Sequence, residues 1–96
     1  MRMMATLRVP VESGSRGIRE GSLPQLVQGF LEKARPESAY FYVENGRRTM
    51  RVVFDLAKSN DMMPYFEPFL MGLDAELEIT PVMNAEELAA GFQAMG

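Results

Sequence analysis

Cysteine, histidine and tryptophan are all absent from this 96-residue chain. The lack of cysteine excludes disulfides and thiol chemistry, whether the thiolate acts as nucleophile or as metal ligand. The lack of histidine removes the commonest general base and metal ligand, which excludes a Ser-His-Asp site and a histidine-ligated zinc or haem site. The sequence therefore predicts no metal and no cofactor, and it identifies no catalytic residue.

Long apolar runs and an excess of basic residues are also missing. No run approaches the roughly 18 apolar residues of a membrane span, and the N-terminus lacks the apolar core of a signal peptide. We therefore expect a cytoplasmic protein of bacterial type. The formal net charge of −3 argues against a nucleic-acid partner. The content of 47% hydrophobic and 24% charged residues is typical of a folded chain, and the length fits a single domain, residues 1–96.

A β-hairpin is the clearest local feature of the sequence. Residues 39–43 and 50–54 are strand-like runs that flank Asn45-Gly46, a pair that tolerates the positive φ angles of a two-residue type I′ turn. A bulged turn would shift the pairing by one residue and place Tyr40 and Tyr42 with the apolar side chains. We take the two-residue turn. It pairs Glu44 with Arg47, Tyr42 with Thr49, Tyr40 with Arg51, Phe41 with Met50 and Ala39 with Val52.

The first half of the chain predicts a strand, a loop and a helix. Apolar residues alternate over residues 3–11, as in a strand with one buried face. Residues 12–21 are rich in Gly and Ser and predict a flexible loop; their arginines and backbone N–H groups leave an anion cradle open as an alternative. Ser22 with Gln25 forms a capping box for the first helix, which Pro36 ends.

The second half predicts a helix, a strand and a short final helix. The helix covers residues 58–72, with Asn60 or Asp61 as its N-cap and Gly72 at its C-cap. Residues 75–80 alternate as a strand. Asn84 and Glu87, three residues apart, then form a capping pattern that opens the last helix.

This order, β-α-β-β-α-β-α, predicts an α+β protein of ferredoxin-like plan with an extra C-terminal helix. The expected antiparallel sheet has the strand order 4-1-3-2, with both long helices on one face. The opposite face, which we call the open sheet face, is expected to carry a mixture of apolar, aromatic and charged side chains. Such a surface usually meets a partner, and a second copy is the simplest candidate. Its predicted members are Met4, Thr6, Arg8, Tyr40, Tyr42, Thr49, Arg51, Val53, Glu76, Glu78 and Thr80.

The chain resembles the small bacterial dimeric α+β-barrel proteins in its element order, its hairpin, the ending Glu78-Ile-Thr-Pro-Val82 and the capped C-terminal helix. The likeness extends to an uncharacterised branch of that superfamily, of domain-of-unknown-function type. It implies a homodimer in which two sheets meet as a barrel with the helices outside. Relatives in the superfamily include antibiotic-biosynthesis-type monooxygenases, haem-degrading enzymes, muconolactone isomerases and stress-responsive proteins. Their catalytic motifs do not carry over, because the His and Trp of the haem-degrading pattern are absent here.

Two groups of side chains are candidates for binding a small apolar or aromatic ligand. Tyr40, Tyr42, Arg51 and Arg8 would offer stacking and charged hydrogen bonds on the open sheet face, where packing in a dimer interface is the simpler explanation. Methionines and aromatic residues would line an adaptable pocket between helix and sheet, with core filling as the alternative. The members of this second group are Met50, Met62, Tyr65 and Phe66, with Phe54, Met63 and Met71 beside them.

Three charged residues on the open sheet face need partners. Glu76 and Glu78 lie on one strand face, where they could bind a cation or act as acid and base; protection of the sheet edge is the simpler explanation. Arg51 would require pairing if a dimer covered it, and we expect Glu76, Glu78, a tyrosine hydroxyl or water as its partner. The sheet aromatics do not occupy the two central strands, unlike those of RNA-recognition domains, so we expect no nucleic acid.

Overall fold

The computed structural model describes residues 1–96 as a four-stranded antiparallel sheet covered on one face by helices. The strand order is β2-β3-β1-β4, which is the predicted order 4-1-3-2 viewed from the other edge, and the ferredoxin-like α+β plan is confirmed. The elements are β1 Arg2–Val9, α1 Val11–Glu20, α2 Ser22–Ala34, β2 Ser38–Glu44, β3 Arg47–Asp55, a 3-10 turn Ser59–Asp61, α3 Met62–Leu73, β4 Glu76–Pro81 and α4 Ala85–Ala94.

The hairpin between β2 and β3 has the predicted two-residue turn. Asn45 and Gly46 both adopt positive φ, at 51° and 79°, as a type I′ turn requires. Glu44 pairs with Arg47 and Tyr40 pairs with Arg51, so the register is the one predicted and the bulged alternative is wrong. This register fixes which side chains of β2 and β3 share the open sheet face.

The core lies between the apolar face of the sheet and the helices. On β1 every second residue from Met3 to Val9 is buried, which confirms the alternation read from the sequence. The centre of the core is aromatic: Phe30 of α2 meets Phe54 of β3 and Phe66 of α3 with ring centroids 6.4 and 5.4 Å away. These contacts join α2 and α3 to the sheet.

The segment predicted as a flexible loop, residues 12–21, is largely the helix α1, and this prediction is wrong. Its small residues let the helix approach its neighbours closely: a Cβ added to Gly17 would lie 2.9 Å from Leu73 Cδ2. Ser13 is 4% exposed, and its hydroxyl donates to the Leu73 carbonyl oxygen at 2.6 Å. Tertiary packing therefore overrides the low helix propensity of Gly and Ser.

The helix ends also differ from those predicted. Ser22 is the first residue of α2 rather than its cap, because Gly21 adopts φ 84° and joins α1 directly to α2. No side chain caps α3, and Asp74 rather than Gly72 takes the left-handed position after it. The capping box of α4 is confirmed, since Asn84 and Glu87 each accept a 2.8 Å bond from the other's backbone N–H.

The molecule is longer than a compact chain of its size. Its radius of gyration is 15.1 Å, against about 12.5 Å expected for 96 residues. Its principal extents are 54 × 28 × 17 Å, and α4 has no buried residue. The C-terminal helix thus extends away from the core. None of the helices has the length and apolar character needed to cross a membrane.

Candidate functional site

An open apolar groove lies beside strand β2, on the face of the sheet that carries the helices. Its volume is about 350 Å³, and we call it the β2 groove. Nine of its eleven lining residues are hydrophobic, so it presents a surface suited to apolar groups. The lining residues are Leu7, Val9, Leu23, Val27, Phe41, Tyr42, Val43, Arg48, Thr49, Met50 and Phe69.

The groove exists because β2 is an edge strand that the helices leave incompletely covered. Phe41 and Val43 are 54% and 69% exposed, whereas Met50, directly opposite Phe41 on β3, is 4% exposed. Alternation along the strand places all three side chains on the apolar face of the sheet. The outer wall of the groove is therefore an exposed apolar edge, and its floor is continuous with the core.

One charged side chain borders the β2 groove. Arg48 lies on β3 opposite Val9 and Val43, and its guanidinium donates to the Ser15 hydroxyl of α1 at 3.2 Å. A guanidinium has five N–H donors, so this contact leaves further donors for an anionic group. The site thus combines an apolar body with one cationic end, and its sequence signal was the short run Arg47-Arg48 after the turn.

The residues predicted to line a helix–sheet pocket do not lie together around one cavity. Met50 lines the β2 groove, whereas Met62, Tyr65 and Phe66 do not. Phe66 is 1% exposed and packs in the aromatic core, so it is a core residue and lines no ligand pocket. Met63 and Met71, predicted beside them, are exposed on α3. The groove lies nearer to the β2 edge than the predicted residues indicated, because its position depends on how far α2 reaches across the sheet.

The other four predicted residues, Tyr40, Tyr42, Arg51 and Arg8, are spread over the open sheet face, and of these four Tyr42 alone also lines the β2 groove. Arg8 of β1 is held between two carboxylates: its Nε donates to Glu44 at 3.0 Å and its Nη1 donates to Glu78 at 2.5 Å. The Arg8 side chain is 14% exposed. These bonds tie β1 to both edge strands, and the bond to Glu78 agrees with the predicted sheet order, which places Arg8 beside β4.

The partners of Arg51 are not the ones expected. Its Nε donates to the Thr6 hydroxyl at 3.1 Å, and its guanidinium lies 3.9 Å from a Glu44 oxygen and 5.7 Å from the Tyr42 ring centroid. Glu78 is occupied by Arg8, and Glu76 accepts from Arg47 at 3.1 Å. Arg51 is therefore already paired within one chain. Tyr40, opposite it, is 70% exposed.

Glu44 is the carboxylate on which this network converges. It accepts from Arg8 at 3.0 Å and from the Tyr42 hydroxyl at 3.2 Å. The hydrogen bond from Arg8 is the main cause that holds the pKa of Glu44 below its ordinary value. Because the folded-state pKa is lowered, the stabilisation is present at pH values above the unfolded pKa and is lost as the pH falls through the folded one.

Substitution of Glu44 should therefore have a pH-dependent effect. We expect Glu44→Gln to lower the melting temperature near neutral pH and to have less and less effect as the pH falls below the ordinary range of a glutamate carboxyl, because the lowered pKa keeps the wild-type carboxylate charged until then. Thermal melts from neutral to acidic pH measure this difference in melting temperature between the variant and the wild type. Glu20→Gln, at an exposed residue without an ion pair, is the control, and its difference in melting temperature from the wild type should not change with pH in this way. A difference for Glu44→Gln that persists in acid would contradict the assigned role of the charge.

Comparison with known proteins supports the fold. A scan against models of protein families found no match, and neither did a search of curated proteins. Among solved structures, the chain is similar to a formyltetrahydrofolate deformylase from Pseudomonas putida KT2440, with TM-score 0.56, 15% identity and coverage of 85% of this chain and 29% of that one. A formyltetrahydrofolate deformylase from Burkholderia mallei ATCC 23344 gives TM-score 0.53, 17% identity and coverages of 84% and 28%. The chain spans less than a third of either enzyme, and the likeness shows the ferredoxin-like fold alone.

Proposed function

We propose that this protein is a homodimer that binds a small apolar or aromatic molecule in the β2 groove. The observation that carries the proposal is the groove itself, about 350 Å³ in volume and lined almost wholly by hydrophobic residues. Ligand pockets in proteins typically measure about 300–1,000 Å³. The core proper is closely filled by aromatic rings, so the groove is the place where an apolar ligand gains contacts without displacing core side chains.

The position of Arg48 supports a ligand with an acidic group at one end. An apolar body would lie against Val27, Phe41 and Met50, while a carboxylate or sulfonate would meet the guanidinium. Charge-assisted hydrogen bonds of this type are stronger than neutral ones. Binding is proposed without a reaction, because the groove offers one guanidinium and no acid–base pair of side chains.

A dimeric module of the α+β-barrel type is the second candidate function. Two properties of the open sheet face favour it: the low exposure of its central threonines and the pairing of its charges. Thr6 and Thr49 are only 5% and 4% exposed. The charged side chains of this face, among them Arg8 and Arg51, are paired within the chain. A second sheet could thus cover them without leaving an unpaired charge, the situation that makes burial costly.

Filling the groove tests the ligand proposal. We expect Val27→Phe to reduce binding of 1-anilinonaphthalene-8-sulfonate, an aromatic anion that matches the groove, by about tenfold or more, because the larger side chain enters the cavity. Fluorescence titration measures the affinity. Met71→Phe, which adds an aromatic ring at a residue 79% exposed on α3, is the control and should leave the affinity unchanged. Equal affinity in Val27→Phe and wild type would place the dye elsewhere and overturn the proposal.

A further inference from the structure

Helix α4 carries an apolar stripe that its own chain leaves largely exposed. Leu88, Phe92 and Met95 are 44%, 63% and 83% exposed. They follow one another at intervals of four and three residues, so they share one side of the helix. An amphipathic helix with an unburied apolar side normally packs against another surface. The stripe therefore marks a contact that a single copy does not make.

The first turn of α4 is nevertheless held firmly. The capping box of Asn84 and Glu87 closes it, and Glu87 also pairs with Arg2 of β1. Arg2 in turn donates to Glu37 at 2.6 Å, and its carbonyl oxygen accepts from the Val82 backbone at 3.1 Å. These contacts fix α4 at the end of the sheet where β1 begins.

The β2 groove lies at the opposite end of the sheet. Val9, at the far end of β1, lines the groove, and Arg2 and Val9 are about 23 Å apart along an eight-residue strand. Helix α4 has ten residues and is about 15 Å long. A helix anchored at Arg2 is therefore too short to lie in the groove of its own chain. The groove of a second copy can approach the helix from outside, so this distance does not exclude it.

The charges of the two surfaces are complementary. Residues 82–96 contain no lysine or arginine and two glutamates, of which Glu87 is already paired with Arg2 and Glu86 is left to meet a basic partner. The only charged residue that lines the β2 groove is Arg48. An acidic helix with an apolar stripe thus matches an apolar groove with a basic end, which favours correct encounter of the two surfaces.

We propose that α4 of a second copy lies across the β2 groove, with its Leu88 and Phe92 against Phe41 and Val43. Reciprocal exchange of two such helices closes a two-fold dimer. The inference rests on the proposed function in one respect, because the helix would close the groove over the ligand. Each site is then built by both copies: the floor comes from one chain and the cover from the other.

Cross-linking tests the contact directly, because the native chain has no cysteine. Val43→Cys and Phe92→Cys proteins are mixed and oxidised. We expect a disulfide-linked pair of the two variants, since only docking of one copy on another brings the two Cα atoms within the roughly 4.4–6.8 Å that a disulfide needs. Ala90→Cys lies on the other side of α4 and is the matched control. Equal linking by Ala90→Cys and Phe92→Cys, or none by either, would overturn the proposal.

Sedimentation of charge variants separates this interface from the open sheet face. We expect wild type, Gln93→Glu and Arg51→Ala to be dimers at micromolar concentration and Phe92→Glu to be a monomer, because only the last places a charge in the stripe. A monomeric wild type, or a ladder of larger oligomers, would overturn the reciprocal dimer. Dimers that survive Phe92→Glu but not Arg51→Ala would overturn it too and assign the interface to the open sheet face.

The proposal of the helix contact and the proposal of the ligand can be refuted separately. A wild type that dimerises through α4 but does not bind 1-anilinonaphthalene-8-sulfonate would retain the helix contact and remove the proposed ligand. A monomeric wild type that binds the dye, with affinity lost in Val27→Phe, would retain the proposed ligand and remove the helix contact.

Discussion

Replacement of Phe66 by alanine should lower the free energy of unfolding by about 3–5 kcal/mol. Phe66 is 1% exposed, and its ring centroid lies 5.4 Å from that of Phe30, 5.6 Å from that of Phe54 and 6.3 Å from that of Tyr65. Truncation removes the apolar contacts of a whole ring and leaves a cavity where α2, α3 and the sheet meet. Since domains of this size are stable by only about 5–15 kcal/mol, this loss is a large share of the total and should lower the urea midpoint clearly.

Equilibrium denaturation with urea measures this effect, with Met63→Ala as the control. Met63 lies three residues before Phe66 on α3 but is 60% exposed, so its truncation should change stability by no more than about 0.5 kcal/mol. A loss below about 1 kcal/mol in Phe66→Ala would mean that the core collapses readily around the gap, contrary to the tight aromatic packing described above.

Gly17→Leu should give the second largest effect, a loss of about 1–3 kcal/mol through overpacking. The glycine lies where α1 touches both Leu73 of α3 and Leu23 of α2: an added Cβ would be 2.9 Å from Leu73 Cδ2 and 3.2 Å from Leu23 Cβ. The leucine side chain has no room between these two helices. It must push α1 away, which also disturbs the buried Ser13 hydrogen bond to Leu73.

The same substitution at Gly29 is the matched control. A Cβ at Gly29, on α2, would meet nothing within 4 Å, and replacement of a helical glycine by leucine gains roughly 0.5–1 kcal/mol. The two leucine variants should therefore change the urea midpoint in opposite directions. If Gly17→Leu were as stable as Gly29→Leu, residues 11–20 would not pack on α3, and the loop expected from their composition would be the better description.

The sheet could be predicted from the sequence because its signals are local. Alternation along β1 assigns each side chain to a face, and the Asn45-Gly46 turn fixes the register of Tyr40 with Arg51. Two neighbouring residues with positive φ determine the pairing of the whole hairpin. The element order then leaves few topologies, since chain connections in such folds obey simple rules. The capping box of α4 is likewise contained within four residues.

The candidate site depended on distances that no local pattern contains. Residues 11–20 form a helix because Gly14 and Gly17 fit against Arg48 and Leu73, which lie far along the chain, and composition alone favours a loop. The tertiary structure also decided that Glu44, at the end of β2, pairs with Arg8 and lies near Arg51.

The β2 groove is the clearest case of a feature that only the tertiary structure decided. The sequence determined that Phe41 and Val43 face the same side as the core. It did not determine that α2 stops short of them, because the reach of one element across another depends on packing between side chains distant in sequence. Periodicity assigns faces, whereas three-dimensional packing decides which part of a face is covered and which is left open to a ligand or a second chain.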